Sequence, residues 1–474
     1  MKLRFMGANR QVTGSRYCLD VGDQRVMIDC GMFQERDFVK RNWDECPIDV
    51  RSVDALILTH AHIDHSGMIP RLVRQGFRGK IYLTSATNEL AQLLLADSAK
   101  IQAEDVKYKK RRHKKEQRTS RHPIEPLFDI KDVELAVSLF ESIPYDSWFE
   151  PAGGMRARFR EAGHILGSAM VEIETQETRA ESAGVQSRKI IFSGDIGQWD
   201  KPLIRDPTLF SDADYIVMES TYGDRDHPVD VPGIAEQLSD VLNRTLIRGG
   251  NVVIPTFAVE RAQELMYHIG QLVHEDRIPD VEVFLDSPMA IDVTDVFRRH
   301  RDCYDQETWD RIIANQPPLR FPGLTMTDKV DQSRAINRHK DPCIIMATSG
   351  MCEAGRIKHH LRQNIHREVS TILFVGFQGR GSLGRRILDG DESVRIHGRE
   401  YPVRAEVKRI DGFSAHADRR ALLRWLAAFD CQPKTIFLTH GEEKSAKALA
   451  NTIGDIRPGQ QVLVPEYGQE VELT

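Results

Sequence analysis

A chain of 474 residues with 41% hydrophobic and 28% charged side chains is too long for one ordinary core and too apolar for disorder, which leaves a globular protein of two or three domains. No apolar run approaches the ~20 residues that cross a bilayer, and residues 1–7 hold no signal-peptide core, so a cytoplasmic protein with no membrane partner is expected. A net charge of −5 gives no bulk attraction to nucleic acid, and seven scattered cysteines without a CxxC pair point to a reducing compartment and away from a thiolate metal site.

In chain order, strands are expected over residues 2–6, 25–29, 53–59 and 80–83, followed by a long proline-free helix over 86–115. Between Lys107 and Arg121, nine Lys/Arg stand against one acid, Glu116. Such a run reads as a solvated helix end unless the substrate is a polyanion. Strands over 170–174 and 189–193 follow, joined by a polar hairpin loop at 177–187. From about Phe210 the texture changes. Short apolar runs at 249–255, 281–285, 343–347 and 371–375, with a helix over 260–274, give the alternation of a parallel sheet covered by helices. After Glu400 charged strands return, and 435–439 is again apolar. The expected architecture is α/β, one domain split by another: an outer domain from 1–208 and 396–474, and an inserted one over 209–395.

The densest signal is His60-Ala61-His62-Ile63-Asp64-His65, which sets four metal-binding side chains in six positions. His60 and His62, two apart in extended chain, project to the same side. Asp64 and His65 lie where residues 66–70 can turn the chain into a helix. One strand end thus offers two ligand pairs aimed at two neighbouring points, which argues for two metal ions. Further candidates sit at other strand ends: Asp29 before Cys30-Gly31, His164 among glycines, Asp195 after a buried run, and His440 after 435–439. Each alone reads as a turn cap or a satisfied histidine. Behind one HxHxDH run they argue jointly for a nitrogen and oxygen site.

The ordered set Asp29, His60 to His65, His164, Asp195 and His440 resembles the metallo-β-lactamase superfamily. Glu219-Ser220-Thr221-Tyr222-Gly223, Phe413-Ser414-Ala415-His416-Ala417-Asp418 and Leu438-Thr439-His440-Gly441-Glu442 resemble motifs A, B and C of its β-CASP branch. That branch includes the endonuclease subunit of the mRNA 3′-end cleavage machinery and RNase J. The likeness covers nearly the whole chain and is nearest to compact prokaryotic members without a KH domain. It implies an αββα metallo-β-lactamase sandwich with an inserted parallel-sheet α/β β-CASP domain as a lid. It also implies that His60, His62 and His164 hold one metal and Asp64, His65 and His440 a second, with Asp195 bridging and Asp29 orienting the ligands. Two Zn²⁺ are implied, and the ligand types also admit Mn²⁺ or Fe.

Two such ions lower the pKa of a shared water and clamp phosphoryl oxygens. The departing 3′ oxygen still needs a proton, and His416 paired with Glu219 is the candidate general acid. Loops after strands supply substrate-binding candidates: Ser287, then Ser349 and Gly350, then Gly379, Arg380, Ser382 and Gly384 in a glycine-rich run with arginines. Residues 255–261 read as mainly structural. The expected function is a metal-dependent ribonuclease acting on single-stranded RNA in processing or decay, cutting internally or from the 5′ end. Its rivals are a small-molecule thioester or lactone hydrolase of the same superfamily, which needs no inserted domain, and a non-catalytic RNA-processing scaffold, which would be expected to lose ligands. A DNA nuclease is disfavoured by histidine in motif C. A homodimer is compatible with the resemblance.

Overall fold

Alternation in the strands decides the layering. Leu3 and Phe5, Leu19 and Val21, or Val26 and Ile28 turn one face of their strand inward, and the facing sheet answers with Phe159, Ile173, Ile190, Phe192, Val217 and Phe437. The computed structural model describes residues 1–116, 124–178, 185–227, 233–379 and 381–474. They form two compact units, Met1–Trp199 with Asp206–Asp226 and His416–Thr474, and Asp200–Arg205 with His227–Ala415.

The first unit holds two seven-stranded sheets. One runs Glu470–Glu472, Lys2–Gly7, Arg16–Val21, Gln24–Ile28, Ala55–Ile57, Lys80–Leu83, Phe140–Ser142, antiparallel at first and parallel from Gln24–Ile28 onward. The other runs Val462–Leu463, Thr435–Thr439, Tyr215–Glu219, Val185–Phe192, Ala169–Thr178, Met155–Glu161, Phe149–Ala152. Its first four strands are mutually parallel and the rest antiparallel. Between the sheets, Phe5 meets Phe437 at 5.1 Å between ring centroids and Tyr17 meets Phe192 at 5.9 Å. The alternate residues of the second sheet, Ile191, Ile216, Met218, Ile436 and Leu438, face outward onto Leu422, Trp425, Leu449 and Ile453 of the helices Arg419–Ala427 and Glu443–Ile456. Apolar side chains on both faces explain why these strands read as unbroken hydrophobic runs. Helices Ile69–Arg74, Ser85–Glu116 and Ile130–Val137 pack beside the first sheet and complete an αββα sandwich.

The long helix buries Leu90, Ala91, Leu95 and Ala99 in its first half. Beyond Val106 it exposes Lys107, Lys109, Lys110, Arg111 and Arg112. The remainder of the basic run, at 117–121, and the hairpin tip at 179–184 lie outside the described residues. No helix among the described residues is long and apolar enough to cross a membrane.

The second unit is built on a six-stranded, wholly parallel sheet in the order Leu324–Met326, Glu282–Leu285, Cys343–Ala347, Val252–Pro255, Thr371–Phe374, Glu406–Arg409. Tyr215–Glu219 belongs to the sandwich and Glu406–Arg409 to this sheet, so the chain passes between units at 226–227 and 415–416, later than the change of texture at 209 and 395. The polar edge strand Glu406–Arg409, half-buried along most of its length, lacks the apolar signature of its neighbours.

Candidate metal centre

Strand Ala55–Ile57 is wholly buried and parallel to both neighbours, so its carboxyl end must carry the chain out of the sheet at one edge. Residues 15–32 hold it there. Ser15 N–H donates to Asp64 O, Cys30 N–H to His65 O and Met32 N–H to Ile63 O, at 2.7–2.9 Å. A Cβ on Gly31 would lie 1.6 Å from the Asp64 carbonyl oxygen, so no other residue fits the backbone so close. In the facing sheet, the adjacent parallel strands Val185–Phe192, Tyr215–Glu219 and Thr435–Thr439 end at a common edge, and their exits carry Asp195, Glu219 and His440.

These ends converge. His60 Nε2 lies 3.1 Å from His62 Nδ1, which lies 3.2 Å from His164 Nε2. Both Nε2 atoms are 3.5 Å from Asp195 Oδ2. A metal bound tetrahedrally at about 2.0–2.1 Å needs ligand–ligand edges of about 3.3–3.4 Å, so the four donors outline that polyhedron. A second group comprises Asp64, His65 and His440, whose ligand atoms lie within 4.8 Å of one another. His440 Nε2 is 3.5 Å from Asp64 Oδ2, and His65 Nε2 is 3.3 Å from Asp195 Oδ1. The two oxygens of Asp195 therefore address the two groups. His440 Nε2 and Asp195 Oδ1 are buried without a hydrogen-bond partner, which a cation would supply. The donors are imidazole and carboxylate only, and no cysteine joins a cluster among the described residues. The set fits one or two divalent ions.

Groups behind the ligands fix their tautomers. Asp29 accepts the Thr59 N–H at 2.8 Å, the Thr59 hydroxyl at 2.9 Å and His65 Nδ1–H at 2.7 Å. With its proton on Asp29, the Thr59 hydroxyl accepts from His60 Nδ1 at 3.0 Å. On the opposite side, the Thr221 hydroxyl donates to the His440 carbonyl at 2.9 Å and accepts from His440 Nδ1 at 3.1 Å. His60, His65 and His440 are thereby each held through Nδ1 with Nε2 turned to the centre, and without a cation, despite its burial, His65 is raised well above the usual histidine range by Asp195 and Asp29. Burial holds His60 and His164 well below the usual histidine range, aided by the neighbouring rings of His65 and His416 respectively. Asp195 stays ionised against its burial because His440, His65 and His416 surround it. Asp29, expected as an orienting group, lies behind His65 and Thr59 and bonds both. Thr59 and Thr221 escaped the reading of the sequence, where a threonine at a strand end carries no distinctive signal.

His416 enters through backbone contacts of its segment: Ala417 N–H donates to Ile196 O at 2.7 Å, and Gln198 donates to the His416 carbonyl at 2.8 Å. Asp418 caps the helix Arg419–Ala427 by accepting from Ala421 N–H. His416 Nδ1 is 3.2 Å from Glu219 Oε2 and 3.9 Å from Asp195 Oδ2. Glu219 is buried, and its Oε1 accepts the Ile196 N–H at 2.6 Å. Burial pulls the His416 pKa down, yet the Glu219 and Asp195 carboxylates outweigh it and lift the ring to about 10.

The remaining candidates lie in the second unit, in loops at the carboxyl edge of its sheet. The Ser287 hydroxyl caps helix Pro288–Arg299 and meets Thr348 Oγ1 at 2.8 Å, beside Ser349. Gln378 donates to the Gly350 carbonyl at 2.9 Å, and Gly384 N–H donates to Met351 O at 3.1 Å. Hydrogen bonds thus stitch the loop at 348–351 to the one before it and to the glycine-rich run holding Gly379, Ser382 and Gly384. Ser382 caps the helix Leu383–Leu388 through Arg385 N–H. Arg380 lies outside the described residues.

The sandwich and the strand-end ligands at its edge define a metallo-β-lactamase fold. Residues 13–137 match the metallo-beta-lactamase superfamily, 262–387 the Beta-Casp domain, and 400–465 the Zn-dependent metallo-hydrolase RNA specificity domain. The chain belongs to the β-CASP branch of the metallo-β-lactamase superfamily. It is 37% identical over 471 residues to Ribonuclease TTHA0252 of Thermus thermophilus, covering 99% of this chain and all of that protein. It is 28% identical to an RNase J-like protein of Methanocaldococcus jannaschii, across 95% of each chain. It is 31% identical to the transcription termination factor FttA of Methanothermobacter thermautotrophicus, covering 95% of this chain and 69% of that one. A solved protein of unknown function from Enterococcus faecalis shares the fold at a TM-score of 0.55 and 12% identity, over 100% of this chain and 99% of that one.

Proposed function

We propose that this protein is a metal-dependent ribonuclease that hydrolyses phosphodiester bonds of single-stranded RNA. Zinc is the proposed metal, one ion held by His60, His62 and His164, the other by Asp64, His65 and His440, with Asp195 shared. The observation that carries this reading is His416, paired with buried Glu219 at 3.2 Å and standing beside Asp195 at 3.9 Å. A poised proton donor next to the ligand carboxylate is what a departing alkoxide requires, whereas a thiolate leaves without one. The 37% identity to a protein named as a ribonuclease supports the same substrate, as does the match of residues 400–465 to an RNA specificity domain.

When bound, two divalent ions supply Lewis acidity and a water ionised near neutral pH. Asp29, Thr59 and Thr221 keep the imidazoles in the ligating tautomer. Glu219 takes the hydrogen bond from His416 Nδ1–H, which leaves Nε2–H as the proton to give. Glu219, at 3.2 Å from His416 Nδ1 and outside the proposed ligand set, is the group that would keep the ring charged with Asp195 engaged as a ligand. The water oxygen attacks phosphorus in line, the P–O3′ bond breaks, and the His416 proton goes to the departing oxygen. The products are a 5′-phosphate and a 3′-hydroxyl. Ser287, Ser349, Gly350, Gly379, Arg380, Ser382 and Gly384 are the proposed contacts to the RNA backbone.

The test is incubation of zinc-loaded protein with internally and 5′-labelled single-stranded RNA, beside His416→Ala. Cleavage should fall by about 10²–10⁴-fold in the variant, and the product lengths separate internal cutting from 5′ trimming. Intact RNA across pH and metals would overturn the proposal in favour of a scaffold or a small-molecule hydrolase.

A further inference from the structure

Nineteen phenylalanines occur in the chain, and among the described residues Phe257 and Phe377 stand out as the exposed ones, at 41% and 65%. Both follow strands of the second unit's parallel sheet, Phe257 after Val252–Pro255 and Phe377 after Thr371–Phe374, which are direct neighbours. They therefore emerge at the carboxyl edge of the sheet, where open parallel sheets bind their ligands.

Glycine backbone surrounds the two rings. A Cβ on Gly350 would come 2.9 Å from the Phe257 ring, and one on Gly376 would come 3.5 Å from it. Phe257 thus lies against bare main chain on one side while much of its surface stays open. Phe377 follows Gly376 directly, and Gly379 brings the Phe377 ring edge and Met351 Sδ within 3.9 Å of its own Cβ position. Gln378, buried and bonded to Gly350 O, ties the loop that carries Phe377 to the glycine backbone against which Phe257 lies. An aromatic ring on a rigid main-chain support, beside small residues that leave room for a sugar–phosphate strand, is the arrangement on which nucleobases stack. A stable protein partner would need to cover about 1,000 Å² or more, whereas the neighbours of the two rings are glycines and Met351.

We propose that Phe257 and Phe377 form a base-stacking platform for the RNA strand, next to the loops at 348–351 and 376–379. This assigns a ligand-binding role to the segment 255–261, and it rests on the ribonuclease reading. Stacking is indifferent to base identity in kind but grows with ring size, so the platform favours purines.

The experiment uses the full-length, zinc-loaded protein silenced by His416→Ala. Affinity for 5′-labelled oligo(A), oligo(U) and an abasic oligomer is measured by fluorescence anisotropy across salt concentrations. Phe257→Ala and Phe377→Ala should each weaken oligo(A) binding by about 5- to 100-fold, the range of one lost stacked base. The salt dependence should stay unchanged, because no phosphate contact is removed. Phe257→Leu keeps the apolar volume over Gly350 and should weaken binding much as Ala does, whereas Phe257→Trp should retain it. All variants should bind the abasic oligomer like the parent. Alanine variants that hold oligo(A) as tightly as the parent would refute the platform while leaving the ribonuclease reading intact, and a protein contact would then be the use of this patch. A silenced parent that binds none of the three oligomers overturns both.

Discussion

Replacing Asp29 by Asn tests whether the centre depends on groups that touch no metal. The carboxylate accepts three hydrogen bonds, from Thr59 N–H at 2.8 Å, Thr59 Oγ1–H at 2.9 Å and His65 Nδ1–H at 2.7 Å. An asparagine can keep its oxygen toward the Thr59 amide, but its NH₂ then faces both the hydroxyl and His65 Nδ1. To avoid two opposed donors, His65 must move its proton to Nε2, the atom that would otherwise ligate. The Thr59 hydroxyl loses its acceptor as well and no longer fixes His60 through Nδ1 at 3.0 Å. One substitution of nearly equal shape so disturbs a ligand of each metal group. Loss of such an orienting partner typically costs 10–100-fold in metal affinity, about 1.4–2.8 kcal/mol. Competition with a chromophoric chelator, with metal content per chain measured after dialysis, reads this directly and without RNA. Zinc affinity within twofold of the parent, at full stoichiometry, would refute the tautomer account.

Other outcomes follow from the same geometry. Glu219→Gln removes the carboxylate that holds His416 protonated, so the alkaline limb of the pH–rate profile should move to lower pH, since the acid form is lost as pH rises through the pKa. In the metal-free parent, where His416 is raised from 6.5 to about 10, the Glu219 pairing stabilises the fold fully below about pH 6.5 and fades toward 10. Thermal melts across that window should therefore be flatter for Glu219→Gln than for the parent. Gly31→Ala would set a Cβ 1.6 Å from the Asp64 carbonyl oxygen, and because the obstacle is backbone it should cost about 3 kcal/mol or more in thermal unfolding. Changing Lys107, Lys109, Lys110 and Arg111 to Gln should shallow the log–log salt dependence of RNA binding by about 0.7 for each that touches a phosphate, with turnover on saturating RNA intact. An unchanged slope would make that helix end plain surface.

What could be seen in the sequence was what lies at the ends of buried strands. The run 53–59 is apolar because Ala55–Ile57 is covered on both faces, and a histidine cluster at its exit has no packing role to hide in. The α/β class with an inserted parallel sheet was legible for the same reason, whereas the αββα sandwich was implied by the resemblance of the motifs. Arg16–Val21 was not, because Asp20 within it is paired with Arg4 and Arg25 across the neighbouring strands and spoils the hydrophobic alternation. Charged strands were expected after Glu400 but were placed in the outer domain, because the polar edge strand Glu406–Arg409 lacks the apolar signature of the inserted sheet it joins. Thr59 and Thr221 were invisible because their role resides in the direction of a hydroxyl proton. Phe257 was read as structural, since only coordinates show which face of a ring is open.

The groups of the centre also differ in when they come into being. His60, His62, His164 and Asp195 lie in the first part of the chain, whereas His416 and His440 follow the whole of 227–415. Strand Thr435–Thr439 must then slot in beside Tyr215–Glu219, made much earlier. At ribosomal speeds of 5–20 residues per second, the interval between Asp195 and His440 is on the order of ten to fifty seconds. For most of that time one candidate ligand group is complete, the other lacks a histidine, and His416 has not yet been made. On the proposed mechanism, a chain assembled in this order gains its proton donor and its last ligand only after residue 415, so shorter nascent chains carry no complete centre.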